Sequence, residues 1–469
     1  MPTNVLHSSG SGIASVAAAS YTLAMRGALL FLSLAGVAGA AGHNPTEVLS
    51  RVRDRVIKSV DRLPNYTCVE TINRTYFQPS LPRPPKSCDE HEGDKRQGIY
   101  QMVPASADRL RLDVAAVSQR EIFSWAGAQK FEDGELWDIV QGGAIGTGAF
   151  GAFLSAIFGG EQTWFTFVGE NDTGGRALME FTYAIPAEFS HYQVRAGDEW
   201  ITTAYDGTVI ADADTGELVT LKIRTAELPP ITGSCETRTT LEYRTVRIGS
   251  GDFLLPWETR QRFISRTGIE AENAIDFSAC RQYRGESTVH FGEDTVAAGP
   301  AVSPAGRAAP LSLPPDLAVS VELDAAIDTE TAAAGDVVGG RLAKPIFDAH
   351  KHPLVAAGSL VQGRLMRVQR YFTKPPRATV VIKLETLEVN GSRVPFPVLP
   401  VPMKPPVEWT RTTVGNQIHS RGVSIGEMPA PGESRYSVLL FTGNAVVVPK
   451  GYLTQWLTAA PAPSAPTQH

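Results

Sequence analysis

The 469 residues contain no G-x-S-x-G, no H-E-x-x-H and no Walker A string. The local signatures of α/β-hydrolases, zincins and P-loop enzymes are therefore missing. A triad assembled from distant residues is recognised by geometry alone, and a secreted hydrolase with a dispersed active site stays open as an alternative. Cysteine is scarce, with four residues, neither a C-x-x-C pair nor clustered Cys and His, which speaks against a redox pair or a zinc site. Basic residues are outnumbered, 43 Lys and Arg against 49 Asp and Glu for a net charge of −6. A general nucleic-acid binder needs the opposite balance. The uncharged stretch Gly27–Gly42, 16 residues, falls below the roughly 20 residues of a spanning helix. Ile139–Gly160 reaches 22 residues but spends seven of them on glycine, so no transmembrane anchor is expected once the leader is removed.

What is present points to a turn-rich β protein with substantial cores. Hydrophobic residues make up 43 % and charged ones 20 %, and Gly (43) and Pro (33) are frequent. Arg26, the apolar run Ala28–Val37 and the small residues Ala38, Gly39, Ala40 and Ala41 follow the layout of a secretory signal (1–40). Met25 precedes Arg26 and is a second candidate start. No Cys stands at the cleavage point, so a lipid anchor is not expected. The reading is a secreted or periplasmic protein.

Cys68, Cys88, Cys235 and Cys280 all follow the signal, and an even number in an exported chain predicts two disulfides. Joining Cys68 to Cys280 and Cys88 to Cys235 would tie strand to strand and loop to loop. Sequential pairing remains open.

The mature chain starts with a predicted helix, Asn44 as N-cap, Pro45 at the first position and Glu47 closing the turn. Leu49, Val52, Val56, Val60 and Leu63 form one stripe, and Pro64 ends it. Strand patterns follow at 66–77, 109–117, 164–169, 177–185, 200–205, 218–226, 237–248, 257–265 and 269–283. Val219, Leu221 and Ile223 alternate with Thr220, Lys222 and Arg224, as in a strand with one wet face. Asp206-Gly207, Thr215-Gly216 and Thr267-Gly268 read as turns of an antiparallel meander. Residues 293–315 read as a Pro/Ala-rich linker, 316–460 as a second, all-β region with an Asn390-Gly391 hairpin, and 461–469 as a disordered tail. The expected fold class is thus mainly β (α+β). It comprises a curved antiparallel sheet or half-barrel with a few helices (41–292), plus a smaller all-β barrel or sandwich.

Several strings could carry chemistry. Gly146, Gly148 and Gly151 match G-x-G-x-x-G, with Glu170 placed as a ribose-binding acid would be. The run before it is broken by Gln141, Gly142 and Gly143, the helix after it is short, and no βαβ alternation follows. No cofactor is expected. The segment reads instead as an apolar helix and Gly-rich turn over a curved sheet. Phe150, Phe153, Leu154, Ile157 and Phe158 are its inward-facing, candidate ligand-binding residues, lining an apolar cavity for a lipid or acyl chain. Asp212, Asp214 and Gly216 hint at a calcium loop, but Gly stands at the fifth position and Ile223 at the twelfth, so a hairpin turn explains them. Asp89, Glu90, His91, Glu92 and Asp94 read as a solvated loop. His350 and His352 have only Asp348 nearby, so no metal site is expected. Arg364, Arg367, Arg370, Lys374 and Arg377 form a basic stretch, a polyanion-docking patch or a charged strand edge.

Leu63–Cys68, Gly207–Ile223, Phe253–Pro256 and Phe277–Phe291 look like a set of uncharacterised secreted bacterial proteins. Their strand-rich body resembles the outer-membrane lipoprotein-carrier fold, a curved half-barrel with helices over its concave face. Leu323–Val368, with its Ala334–Val337, Leu342–Pro345 and Ala356–Gly363 strings, resembles β-barrel segments of type IV secretion envelope components. The resemblances imply a non-catalytic cell-envelope protein that binds a lipid, an acylated protein or an envelope protein partner. A purely structural envelope protein without ligand is the alternative.

Overall fold

The computed structural model describes residues 42–117, 120–128, 131, 136–140, 142–160, 162–197, 199–282, 313–401 and 436–460. The expected signal, the tail and all but 313–315 of the expected linker lie outside the described residues.

Helix α1 (Pro45–Arg62) forms because Asn44 accepts the Thr46 N–H at 3.0 Å and also donates to Glu47, while Pro45 fits the first turn. Its buried stripe is Val48, Val52, Val56 and Val60, with Leu49 at the margin. Then come β1 (Tyr66–Pro79), α2 (Cys88–Arg96), β2 (Met102–Val117), β3 (Arg120–Trp125), α3 (Leu136–Ile139) and α4 (Ala152–Gly159). The run 89–94, read as a loop, is helical. Ser87 and Glu90 close a capping box, and His91 and Asp94 are buried. The Lys86 and Arg83 cations, set against the cost of burial, hold the Asp94 carboxyl below its ordinary range.

Strands β4 (Trp164–Thr173), β5 (Arg176–Ile185), β6 (Gln193–Ala196), β7 (Glu199–Thr202), β8 (Tyr205–Asp212), β9 (Leu218–Thr225), β10 (Ser234–Ile248), β11 (Gly251–Ser265) and β12 (Glu270–Gln282) follow. All but β6 and β7 join one antiparallel sheet in the spatial order β4-β5-β8-β9-β10-β11-β12-β1-β2-β3. Chain entry and exit thus meet at β1–β12, where Cys68 bonds Cys280; Cys88 bonds Cys235 beside Ile264.

Three local readings change. The strand expected at 200–205 is split, because β6 and β7 make a hairpin of their own before β8 begins. Asp206-Gly207 is no turn but lies inside β8. There the Tyr183 hydroxyl crosses to the Lys222 carbonyl, and a Cβ on Gly207 would stand 1.9 Å from that oxygen. Between β8 and β9 a register shift after Ile210 pairs Ala211 with Leu218, so Leu218 and Thr220 are buried and Val219 is only half-buried.

The 212–216 turn docks α1. Arg51 donates to Ala213 O at 2.6 Å, Arg55 to Thr215 O, and His43 bridges Glu170 (2.8 Å) and Asp214 (2.9 Å). Those two carboxylates, Glu170 first, raise the His43 pKa. Asp212 is occupied locally, accepting the N–H groups of Asp214 and Thr215 and pairing with Arg176.

Beyond 313 lie β13 (Ala318–Leu323), β14 (Ile327–Asp328), β15 (Val337–Leu342), β16 (Ile346–Phe347), β17 (Pro353–Val355) and β18 (Leu360–Tyr371). They are followed by β19 (Arg377–Val389), β20 (Ser392–Pro395), β21 (Val398–Pro400), β22 (Ser437–Thr442), β23 (Val447–Val448) and β24 (Leu453–Thr458). A ladder β21-β24-β13-β15-β18-β19 wraps its own apolar core around Trp456, Phe396 and Val380, with β20 and β22 sharing the far side of β19. Asn390 and Gly391, both at positive φ, turn β19 into β20. Strand β18 also pairs with β2 through Gln369–Tyr371, so both β-rich regions share one hydrogen-bonded sheet.

Arg364 is central to that junction. It is 4 % exposed and donates to Ala126 O (2.7 Å) and Gly335 O (2.6 Å), so it is no solvated edge residue. Replacing it by alanine strands two buried carbonyls, which should cost about 3 kcal/mol in urea denaturation. Arg370→Ala, which removes a partly exposed pair with Glu330, should cost roughly 0.5 kcal/mol.

Candidate functional site

Side chains on alternate positions of β1 (Tyr66, Cys68, Glu70, Ile72, Arg74, Tyr76) point to the concave face of the sheet and are buried. The face is apolar where α1 and α4 cover β5, β8, β9 and β10. It turns polar toward one end, where the inward row of β10 changes from Leu241 to Thr239 and Thr237, opposite Gln261 and Phe263 of β11.

The Gly-rich segment crosses this face as a strap, and polar side chains of the sheet grip its backbone. Arg74 donates to Gly142 O (3.0 Å), Asn273 to Ala144 O (3.0 Å), and Glu121 accepts the N–H groups of Gly148 (2.8 Å) and Phe150 (2.9 Å). The glycines are required by these approaches. A Cβ on Gly143, at φ +79°, would lie 2.2 Å from the Tyr76 hydroxyl, and one on Gly146 2.8 Å from the Gln261 amide. Two strap N–H groups are thus committed to a carboxylate, whereas a phosphate cradle would offer them to a ligand.

Between the strap, the β6–β7 hairpin and β10–β12 lies a cleft of about 1150 Å³. Trp137, Trp200, Tyr192, Phe153 and Phe263 give it aromatic walls, and Thr237, Thr239 and Gln261 give it hydrogen-bonding groups. Trp137 and Trp200 stand 4.7 Å apart, with Arg195 over Trp137 at 5.7 Å; Phe153 and Tyr192 are 5.7 Å apart. No carboxylate lines the cleft among the described residues; its basic groups are Arg195 and His191.

The five sequence-selected residues divide. Phe153 is half-buried and lines the cleft. Leu154, Ile157 and Phe158 face inward into the core beneath α1, and Phe150 wedges between Tyr66 (5.7 Å) and Phe277 (4.6 Å). Trp137, Trp200 and the Thr237/Thr239 row were not singled out by sequence reasoning. The one signal for them was the apolar-to-hydroxyl change along the β10 alternation. Among the described residues, no group of three His, Cys, Asp or Glu is placed to hold a metal. Asp348 instead accepts the backbone N–H groups of His350 and His352, which lowers its pKa.

Around Glu121 lies a second set of groups absent from the sequence reading. Glu70 is 5 % exposed, and burial, reinforced by the Glu121 charge, pushes its pKa up to about 8. Burial also raises Glu121, against the opposing pull of its two N–H donors. Among the described residues, the Tyr66 and Tyr243 hydroxyls beside Glu121 have no hydrogen-bond partner. A carboxyl whose pKa is raised on folding stabilises the fold below its ordinary value of 4.5 and loses that contribution as pH climbs through about 8. Glu70→Gln should therefore flatten the fall in stability between those limits and be more stable than wild type at pH 8. Urea midpoints of both proteins at pH 5 and pH 8 check this.

No family model matches the chain, and no curated protein matches it. Among solved structures, a LolA superfamily protein from Nitrosomonas europaea is similar at 6 % identity and TM-score 0.24, over 51 % of this chain and 94 % of that one. An outer membrane lipoprotein-sorting protein domain from Vibrio parahaemolyticus is similar at 10 % and 0.25, over 52 % and 95 %. A DUF1329 family protein from Desulfovibrio piger is similar at 8 % and 0.24, over 52 % and 95 %. Scores of this size assign neither family nor activity, and none of these comparisons supports the channel-component resemblance of Leu323–Val368.

Proposed function

We propose that the protein is a non-catalytic, exported envelope protein that holds an apolar or amphipathic ligand, a lipid or the acyl chain of a partner protein, in the concave-face cleft. The observation that carries this reading is the composition of the cleft. Large aromatic walls favour an apolar body, and a few hydroxyl and amide groups suit a polar end. Two disulfides fit an oxidising compartment. Phe153, in the first turn of α4, is the one of the five sequence-selected residues that would touch the ligand, while Phe150, Leu154, Ile157 and Phe158 would hold the strap and helix in place.

Protein purified from the periplasm should release a lipid on solvent extraction, and its emptied form should take up a fluorescent fatty-acid probe. Phe153→Asp, or Trp200→Ala on the outer wall, should weaken the probe at least tenfold, about 1.4 kcal/mol. A clean apo mass together with no probe uptake by the wild-type protein would sink the proposal.

A further inference from the structure

A second cleft, of about 900 Å³, lies between β2–β3 and α3 on one side and β18–β20 on the other. Its charge is opposite to that of the chain. Arg367 and Asp138, at its wall, have partners of their own; among the other described residues Arg74, Arg109, Arg364, Lys383 and Arg393 line it against Asp108 and Glu385, an excess of three cations on a chain of net −6.

Pairing within the cleft does not remove the excess. Arg74 and Asp108 cancel in a buried two-pronged pair at 2.6 Å. Glu385 is shared between Arg364 (3.5 Å) and Lys383 (3.8 Å). Arg109 is held by neutral partners, Asn73 and the Thr331 carbonyl, and Arg393 is exposed and in no ion pair among the described residues. Leu110, Trp125, Met366 and Val394 supply apolar walls. Cations lining a concavity focus their field on whatever enters it.

The basic cleft adjoins the aromatic one. Val140 lines both, and Arg74 of one and Tyr76 of the other are neighbours on the same face of β1, about 7 Å apart at strand spacing. We infer that the basic cleft takes the acidic head, a phosphate or carboxylate, of an amphiphile whose chain lies in the aromatic cleft. This rests on the proposed reading of the aromatic cleft and narrows its ligand to acidic amphiphiles.

The test compares dodecyl phosphate with dodecyldimethylamine oxide, of equal chain and no net charge at neutral pH, as competitors of the fluorescent probe on the full mature protein. Arg393 is exposed and Lys383 is half-buried with an accessible side chain, so the double variant Lys383→Glu/Arg393→Glu should fold, with circular dichroism and urea midpoint as checks. Dodecyl phosphate should bind the wild type at least tenfold more tightly than the amine oxide, with a preference that shrinks as salt rises. In the double variant the preference should vanish while amine oxide binding stays unchanged. Equal affinities in the wild type, or a preference that survives in the variant, would overturn the inference and leave the aromatic cleft standing. Inorganic pyrophosphate binding as tightly as dodecyl phosphate would assign the basic cleft to a free phosphate compound and overturn it too. Failure of both amphiphiles to bind would instead remove the reading of the aromatic cleft, and this inference with it.

Discussion

Arg74, Glu121 and Asn273 reach from three strands into a concave face that helices seal from water at one end. A buried polar group left unpaired costs on the order of 1–3 kcal/mol, and the sheet has too few complementary side chains to pair them all. Backbone carbonyls at Gly142 and Ala144, and N–H groups at Gly148 and Phe150, supply the missing partners. The strap is therefore part of the sheet's hydrogen-bond economy. Its position fixes one wall of the aromatic cleft and seats Phe150 between Tyr66 and Phe277. Glycine is needed there because the gripping side chains come within 3 Å of where a Cβ would stand at Gly143 and Gly146.

The same constraint explains what was legible in the sequence. Helix α1 could be read, start to stop, because its cap, its proline and its valine stripe are all local. Most of the long strands could be read because they alternate over a sheet with one covered face, and the Asn390-Gly391 hairpin because its turn chemistry sits in two residues; β3, β6 and the body of β8 were not among the expected strands. The 142–151 segment was visible as an anomaly, uncharged and rich in glycine. Its role was not, because the groups that hold it come from positions 74, 121 and 273.

Other features were hidden for related reasons. Helix α2 is mostly charged, with no apolar stripe to betray it; its one local mark is the Ser87/Glu90 capping box. Gly207 looked like a turn because Asp-Gly usually is one, and only the crossing of Tyr183 to Lys222 shows why a strand needs glycine there. Arg364 looked like its basic neighbours Arg367 and Arg370, yet it alone of the three is fully buried, with backbone carbonyls from two separate segments as its partners.

Glu70 belongs to the same arrangement. Its register partners are Phe277 across the β1–β12 pair and Leu112 across β1–β2, and burial there, reinforced by the Glu121 charge, favours the neutral carboxyl. Glu121 ties this buried position to the strap, since the carboxylate whose charge acts on Glu70 also accepts the N–H groups of Gly148 and Phe150. The Phe150 ring in turn packs between Tyr66 and Phe277, so the strap's backbone and its one buried ring are held from the same region of the sheet.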